Sequence, residues 1–246
     1  GQVVNKSWEL GLASLMKEPA FLLPIMALPL ARDTETDDYV FEGASDDNIA
    51  GPAHTCSGSD RLLWFGWWGP GARSSSNYNS VAMTNAFSGT ADGAYQIFGD
   101  YLIAPSTSAG LVATGIFTAA VSNKACFEMS FTGAQQSGVP DATNTGNTTD
   151  VTLNFTVTPV ANNCFIIGCV RDGQGQTSTP NGAAVELYDA ADGNGFWFAD
   201  SVAITPPAAT TFGRTRASGA ATQGGGAASF APAAANNSSL MAALAF

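Results

Sequence analysis

His54 is the single histidine of a 246-residue chain, so any Ser/His/Asp or Cys/His apparatus must pass through it. Cys56, Ser57, Ser59 and Asp60 follow close behind and supply nucleophile and acid types. A triad, however, is three side chains meeting in space with the imidazole between carboxylate and hydroxyl. No G-x-S-x-G elbow occurs to raise a serine on a strand-to-helix turn, and no catalytic residue is assigned. Paired carboxylates about 5 to 9 Å apart would suit glycoside hydrolysis. Asp100, Glu128, Glu186 and Asp200 fall in strand-like runs, where isolated acids on wet faces are ordinary. The glycine-rich "RDGQGQTS" at 171–178 lacks the Gly-Lys-Ser/Thr of a phosphate cradle and reads as a turn.

Asp33, Glu35, Asp37, Asp38, Glu42, Asp46 and Asp47 place seven of the twenty acids within fifteen residues. Hard cations take several carboxylate oxygens, but this spacing fits no EF-hand loop and lacks its turn glycine. The run reads as a solvated linker, with no metal or cofactor assigned. Cys56, Cys126, Cys164 and Cys169 form no C-x-x-C pair. Cys164 and Cys169 lie five apart on one strand, point to opposite faces and cannot bridge each other. Buried free thiols are expected, a bridge from Cys126 to Cys164 or Cys169 remaining the alternative.

The elements that must position these residues are strands. In "DVTLNFTVTP" Val151, Leu153, Phe155 and Val157 alternate with Thr152, Asn154, Thr156 and Thr158, the pattern of one buried and one wet face. "KACFEMSFTG" puts Ala125, Phe127, Met129 and Phe131 inward and Cys126, Glu128, Ser130 and Thr132 outward. "AYQIFGDYLIAP" aligns Tyr95, Ile97, Tyr101 and Ile103, and "LVATGIFTAAV" follows. Further strands are expected at 80–86, 164–170, 183–188, 195–200 and 227–230. Between them lie Gly, Asn, Asp, Ser and Pro clusters such as "GPGARSSSNYN", "SGVPDATNTGN" and "RDGQGQTSTPNG", which read as turns. Many short strands with no crossover helix predict an all-β antiparallel sandwich or jelly roll.

"RLLWFGWWG" breaks the alternation: Leu62, Trp64 and Trp68 share one face, and Leu63, Phe65 and Trp67 the other. A strand apolar on both faces must be covered on both, by the core on one side and an arm or neighbouring subunit on the other. Trp64, Trp67 and Trp68 are thus a packing platform, with sugar stacking as the functional rival.

Only 12% of residues are charged, against roughly a quarter in ordinary soluble domains, and the net charge is -11. With 9 basic residues and no Lys/Arg cluster to neutralise phosphates, nucleic acid is not expected as a partner.

From about Ser45 to Pro232 the chain resembles β-sandwich modules of tailed-phage virion proteins and bacterial surface proteins. The residues that carry this are "GSDRLLWFGWWGPG", "YNSVAMT", "YLIAPSTSAG", "FTGAQQSGVPDATNT" and "ASFAPA", in matching order and spacing. The resemblance implies a structural role and brings no catalytic residue. The Trp-rich first strand and the N-terminal forty residues depart from it.

Those N-terminal residues are read from physics. As a helix, residues 20–31 would span about 18 Å at ~1.5 Å per residue, short of a ~30 Å bilayer core, and Pro24 and Pro29 interrupt it. No membrane partner is expected. Glu9, Glu18 and the prolines also set the run apart from a secretory leader. Extended, twelve residues reach roughly 40 Å at ~3.3 Å each, enough to cross onto a neighbour. Phe21, Leu22, Leu23, Ile25, Met26, Leu28 and Leu30 are the expected assembly residues, preceded by a short helix capped at Ser7 and ended by Pro19. The C-terminal "LMAALAF" repeats the theme.

The expected layout is an extended arm over residues 1–44, a sandwich over 45–232 and a tail over 233–246. The expected function is that of a non-enzymatic virion structural protein, localised to the particle, binding copies of itself and other virion proteins. A carbohydrate-binding module with a host glycan as partner is the rival, followed by a bacterial surface or filament subunit.

Overall fold

A computed structural model describes residues 30–33, 39–190, 195–205, 207–219 and 221–234. The expected N-terminal helix, the arm residues Phe21 to Leu28 and "LMAALAF" lie outside these. Among the described residues there are strands and no helix, so the all-β expectation holds. The first half contributes β1 (Ala31–Arg32), β2 (Tyr39–Glu42), β3 (Asp46–Ala50), β4 (Leu62–Gly69), β5 (Arg73–Tyr78), β6 (Val81–Ala82), β7 (Thr84–Thr90), β8 (Gln96–Ile103), β9 (Ala113–Val121) and β10 (Lys124–Thr132). The second contributes β11 (Ala142–Thr148), β12 (Thr152–Val157), β13 (Phe165–Asp172), β14 (Ser178–Gly182), β15 (Ala184–Ala190), β16 (Phe196–Ser201), β17 (Thr210–Arg216) and β18 (Gln223–Phe230).

These strands form four antiparallel sheets, two from each half. The first half makes β3-β9-β5-β6 and β10-β4-β8-β7, the latter extended by β1 and β2 on the free edge of β10. The second half makes β11-β18-β13-β16-β15 and β12-β17-β14. Alternation then dictates the stacking. Leu63, Phe65, Trp67 and Phe98 pack on Ile49, Tyr78 and Phe117 of the first sheet. The opposite faces of the same strands, carrying Leu62, Trp64, Trp68 and Ile97, pack on Ile167, Cys169, Phe196, Phe198 and Phe230 of the other half. Ile166, Val170 and Trp197 in turn pack on Leu153, Phe155 and Phe212. Three apolar layers thus separate four stacked sheets.

This stacking corrects two expectations. β4 is apolar on both faces because both are covered by sheets of its own chain, with neither arm nor neighbouring subunit required. The supposedly wet face of β10 is buried too: Cys126, Glu128 and Ser130 are at most 1% exposed, under the sheet that β9 centres. In β12, Leu153, Phe155 and Val157 point inward as expected, while Val151 precedes the strand and is 40% exposed. β1 and β2, counted with the arm above, are sheet members, so among the described residues pairing begins at Ala31 rather than after residue 44.

The two halves follow one plan. The order β2-β10-β4-β8-β7 recurs as β11-β18-β13-β16-β15, and β3-β9-β5 recurs as β12-β17-β14. The registers agree as well. Leu62 pairs with Phe131 where Phe165 pairs with Phe230, and Trp64 sits between Met129 and Tyr101 where Ile167 sits between Ala228 and Asp200. Only β1 and β6 have no second-half counterpart.

Candidate functional site

The residues first considered for chemistry are held in structural contacts. His54 is 2% exposed and its Nε2 lies 2.9 Å from Ser130 Oγ. Ser130 Oγ donates to Asp33 Oδ2 at 2.8 Å, so the imidazole N–H donates to the serine oxygen. The hydroxyl stands between carboxylate and imidazole, the reverse of a nucleophile relay, and Ser130 is 1% exposed.

Of the four strand acids, Glu186 is exposed as expected, whereas Asp100, Glu128 and Asp200 are buried. Glu128 and Asp100 flank Phe65 on one face of the inner sheet, two strand spacings or roughly 10 Å apart, and both are 0% exposed. Asp100 accepts from Trp67 Nε1 at 2.7 Å, Asn85 Nδ2 at 2.8 Å and Arg73 Nε at 3.1 Å. Glu186 accepts from Trp197 Nε1 at 3.1 Å, and burial raises its carboxyl above the ordinary value. Asp200 is likewise raised by burial and pulled back by Arg32.

The cysteines are all free and buried. Burial pushes the thiols of Cys56 and Cys164 up to about 11 and those of Cys126 and Cys169 well above their ordinary value, leaving them un-ionised and unreactive near neutrality. Trp64, Trp67 and Trp68 are 0% exposed. Trp67 packs within the outer core tilted on Phe98 and edge-on to Phe117, and Trp64 meets Phe230 edge-on. No face of these rings is open for a sugar. In the acidic run, Glu42 and Asp46 flank the buried Lys124, with Asp46 Oδ1 at 2.6 Å from Nζ. Among the described residues no group of three His, Cys, Asp or Glu side chains could hold a metal ion.

What the fold does build is a pole. Leu30 is 2% exposed in the central core. Ala31 pairs with Thr132 at the end of β10, and the Arg32 guanidinium grips Asp200 of β16 with two nitrogens. Asp33 then accepts from Ser57 N and Ser57 Oγ, each at 2.6 Å, as well as from Ser130. The root of the N-terminal segment is therefore fastened to both halves. Beside it, the C-terminal root is fastened to the next residues of the same loop: Ala134 bridges Pro232, Gln135 N donates to Ala231 O, and Ala233 N donates to Gly133 O. The roots of both chain ends are thus fastened within a few residues of Thr132.

An apolar groove of about 510 Å³ opens at this pole, lined by Leu30, Ala31, Phe165, Val185, Val202 and Ala203 together with Arg32 and Ser201. Val185 and Val202 remain 37% and 65% exposed. Of the seven expected assembly residues, Leu30 alone is described, and it lies in this chain's own core. Arg32 and Asp33 were missed as its fastening. Their signal is position, since they are the first charged residues after the apolar run. Comparison with protein-family models, curated proteins and solved structures returns no match for this chain.

Proposed function

We propose that the protein is a structural subunit of a particle, of the kind found in tailed-phage virions, that self-associates through its apolar chain ends. The observation that carries this reading is the convergence of both chain ends at Thr132 to Gln135. The roots of both apolar end segments are thus held at one place on the sandwich. Sheet order supports it. With β1 and β7 set aside, the first half's strands read 1-8-3-6 and 2-7-4-5 in chain order, the jelly-roll arrangement of two Greek keys that serves viral capsid proteins among others. The second half repeats it without the fifth strand. The buried chemistry described above adds no rival activity.

The test is a truncation placed by the fold. Removing residues 1–29 spares Leu30, Arg32 and Asp33, so the sandwich keeps its strand content and cooperative unfolding. The expected result is loss of the oligomer by light scattering. An unchanged oligomer mass in the truncated protein overturns the proposal.

A further inference from the structure

We infer that the groove beside Arg32 is the receptor for the apolar N-terminal segment, residues 20–29, of a second copy of this chain. The inference rests on the assembly reading above and names its contact. The groove is hydrophobic at Phe165, Val185, Val202 and Ala203, and two of these valines stand open to water in the single chain. Its one guanidinium, on Arg32, is already spent on Asp200. It therefore offers no unpaired charge and suits an uncharged occupant. Residues 20–31, "AFLLPIMALPLA", contain no charged side chain.

Geometry favours a segment from another copy. β1 runs antiparallel to β10 with Ala31 opposite Thr132, so Leu30 stands at the end of β10. The prolines at 24 and 29 disfavour a helical fold-back. A segment that starts at the lip of one groove, and is long enough to span a neighbour, meets an identical groove on that neighbour. The exchange is head-to-tail, closing into a ring where the rotation permits.

The test uses the full chain. Val202→Glu alters an exposed position outside the strands and leaves the fold intact by circular dichroism. It is expected to weaken self-association at least tenfold in analytical ultracentrifugation, as is Leu23→Asp on the segment itself. Mixing Leu23→Cys and Val202→Cys full-length variants under oxidation is expected to give a mixed disulfide dimer. An oligomer indifferent to Val202→Glu but lost on removing residues 1–29 overturns the groove and leaves the assembly reading standing. A full chain that is monomeric at every concentration overturns both. In a chain carrying both Leu23→Cys and Val202→Cys, a disulfide formed only within one chain shows the segment in its own groove and overturns the exchange.

Discussion

Arg32 and Asp200 show how one pair of residues ties the N-terminal root to the distant half of the molecule. Asp200 is fully buried while the Arg32 side chain is 40% exposed. Burial holds the Asp200 carboxyl above its ordinary value, and the guanidinium opposes this. A carboxyl raised in the folded state binds its proton more readily folded than unfolded, so the stability it confers is present in acid and is lost as pH rises through its folded pKa. Arg32→Gln removes the opposing charge and steepens that loss. The expected outcome is a destabilisation of roughly 1 to 3 kcal/mol near neutrality, discounted from a fully buried pair for the exposure of Arg32. Urea melts across pH 4 to 8 should show the deficit shrinking toward acid; a deficit constant with pH sinks the argument. Neither partner announced itself in the sequence. Asp200 ends a strand as a surface acid would, and nothing local to Arg32 names a partner 168 residues away.

At the scale of elements, the strands legible in sequence were those rich in large apolar residues, alternating with polar ones in β10 and β12 and running consecutively in β8, β13 and β16. β5, β11 and β14 read as turns because "RSSSNY", "ATNTGNT" and "STPNG" lack apolar alternation. They are sheet members by backbone pairing to β9, β18 and β17, a contribution that side-chain type does not report. The wet face assigned to β10 failed for a related reason: a strand glutamate is exposed in most sandwiches, and only a second covering sheet reverses that.

β18 is the informative case. "GGG" at 224–226 offers no side chain to pack, yet each of these positions is buried. A Cβ on Gly226 would lie 2.5 Å from the Phe87 ring, so the missing side chain is what lets β7 and Phe87 approach the second half. Gly226→Ala is expected to cost about 1 to 3 kcal/mol by overpacking, with altered near-ultraviolet dichroism from Trp64, whose ring centroid lies 5.8 Å from that of Phe87. A variant as stable as the parent means that β7 is not held against Gly226 as described.

At the scale of the whole molecule, the recurring sheet order implies that each half would be a two-layer sandwich with one inner sheet left uncovered. That sheet is apolar in both halves. Trp64, Trp68, Phe127, Met129 and Phe131 face Ile167, Phe196, Phe198 and Phe230, with Phe127 and Phe198 stacked at 4.3 Å. At ~1.5 to 3 kcal/mol per large side chain, these nine contribute on the order of 15 to 25 kcal/mol gross, exceeding the roughly 5 to 15 kcal/mol net stability of a typical domain. Arg171 adds a polar pin across the same seam, its guanidinium 3.5 Å over Tyr95 and 4.7 Å over Trp68. Neither half should therefore persist alone. Splitting the chain in the connection between β10 and β11, between Ser137 and Gly138, is expected to give two fragments that are insoluble or self-paired when made separately. Produced together, they should recover a soluble one-to-one complex with the unfolding transition of the intact chain. The sequence signature of this dependence was "RLLWFGWWG", apolar on both faces, but an apolar face does not say which surface covers it. A soluble, monomeric fragment with native-like tryptophan burial would show that the seam joins two finished domains, and the dependence argued from its apolar faces would fail.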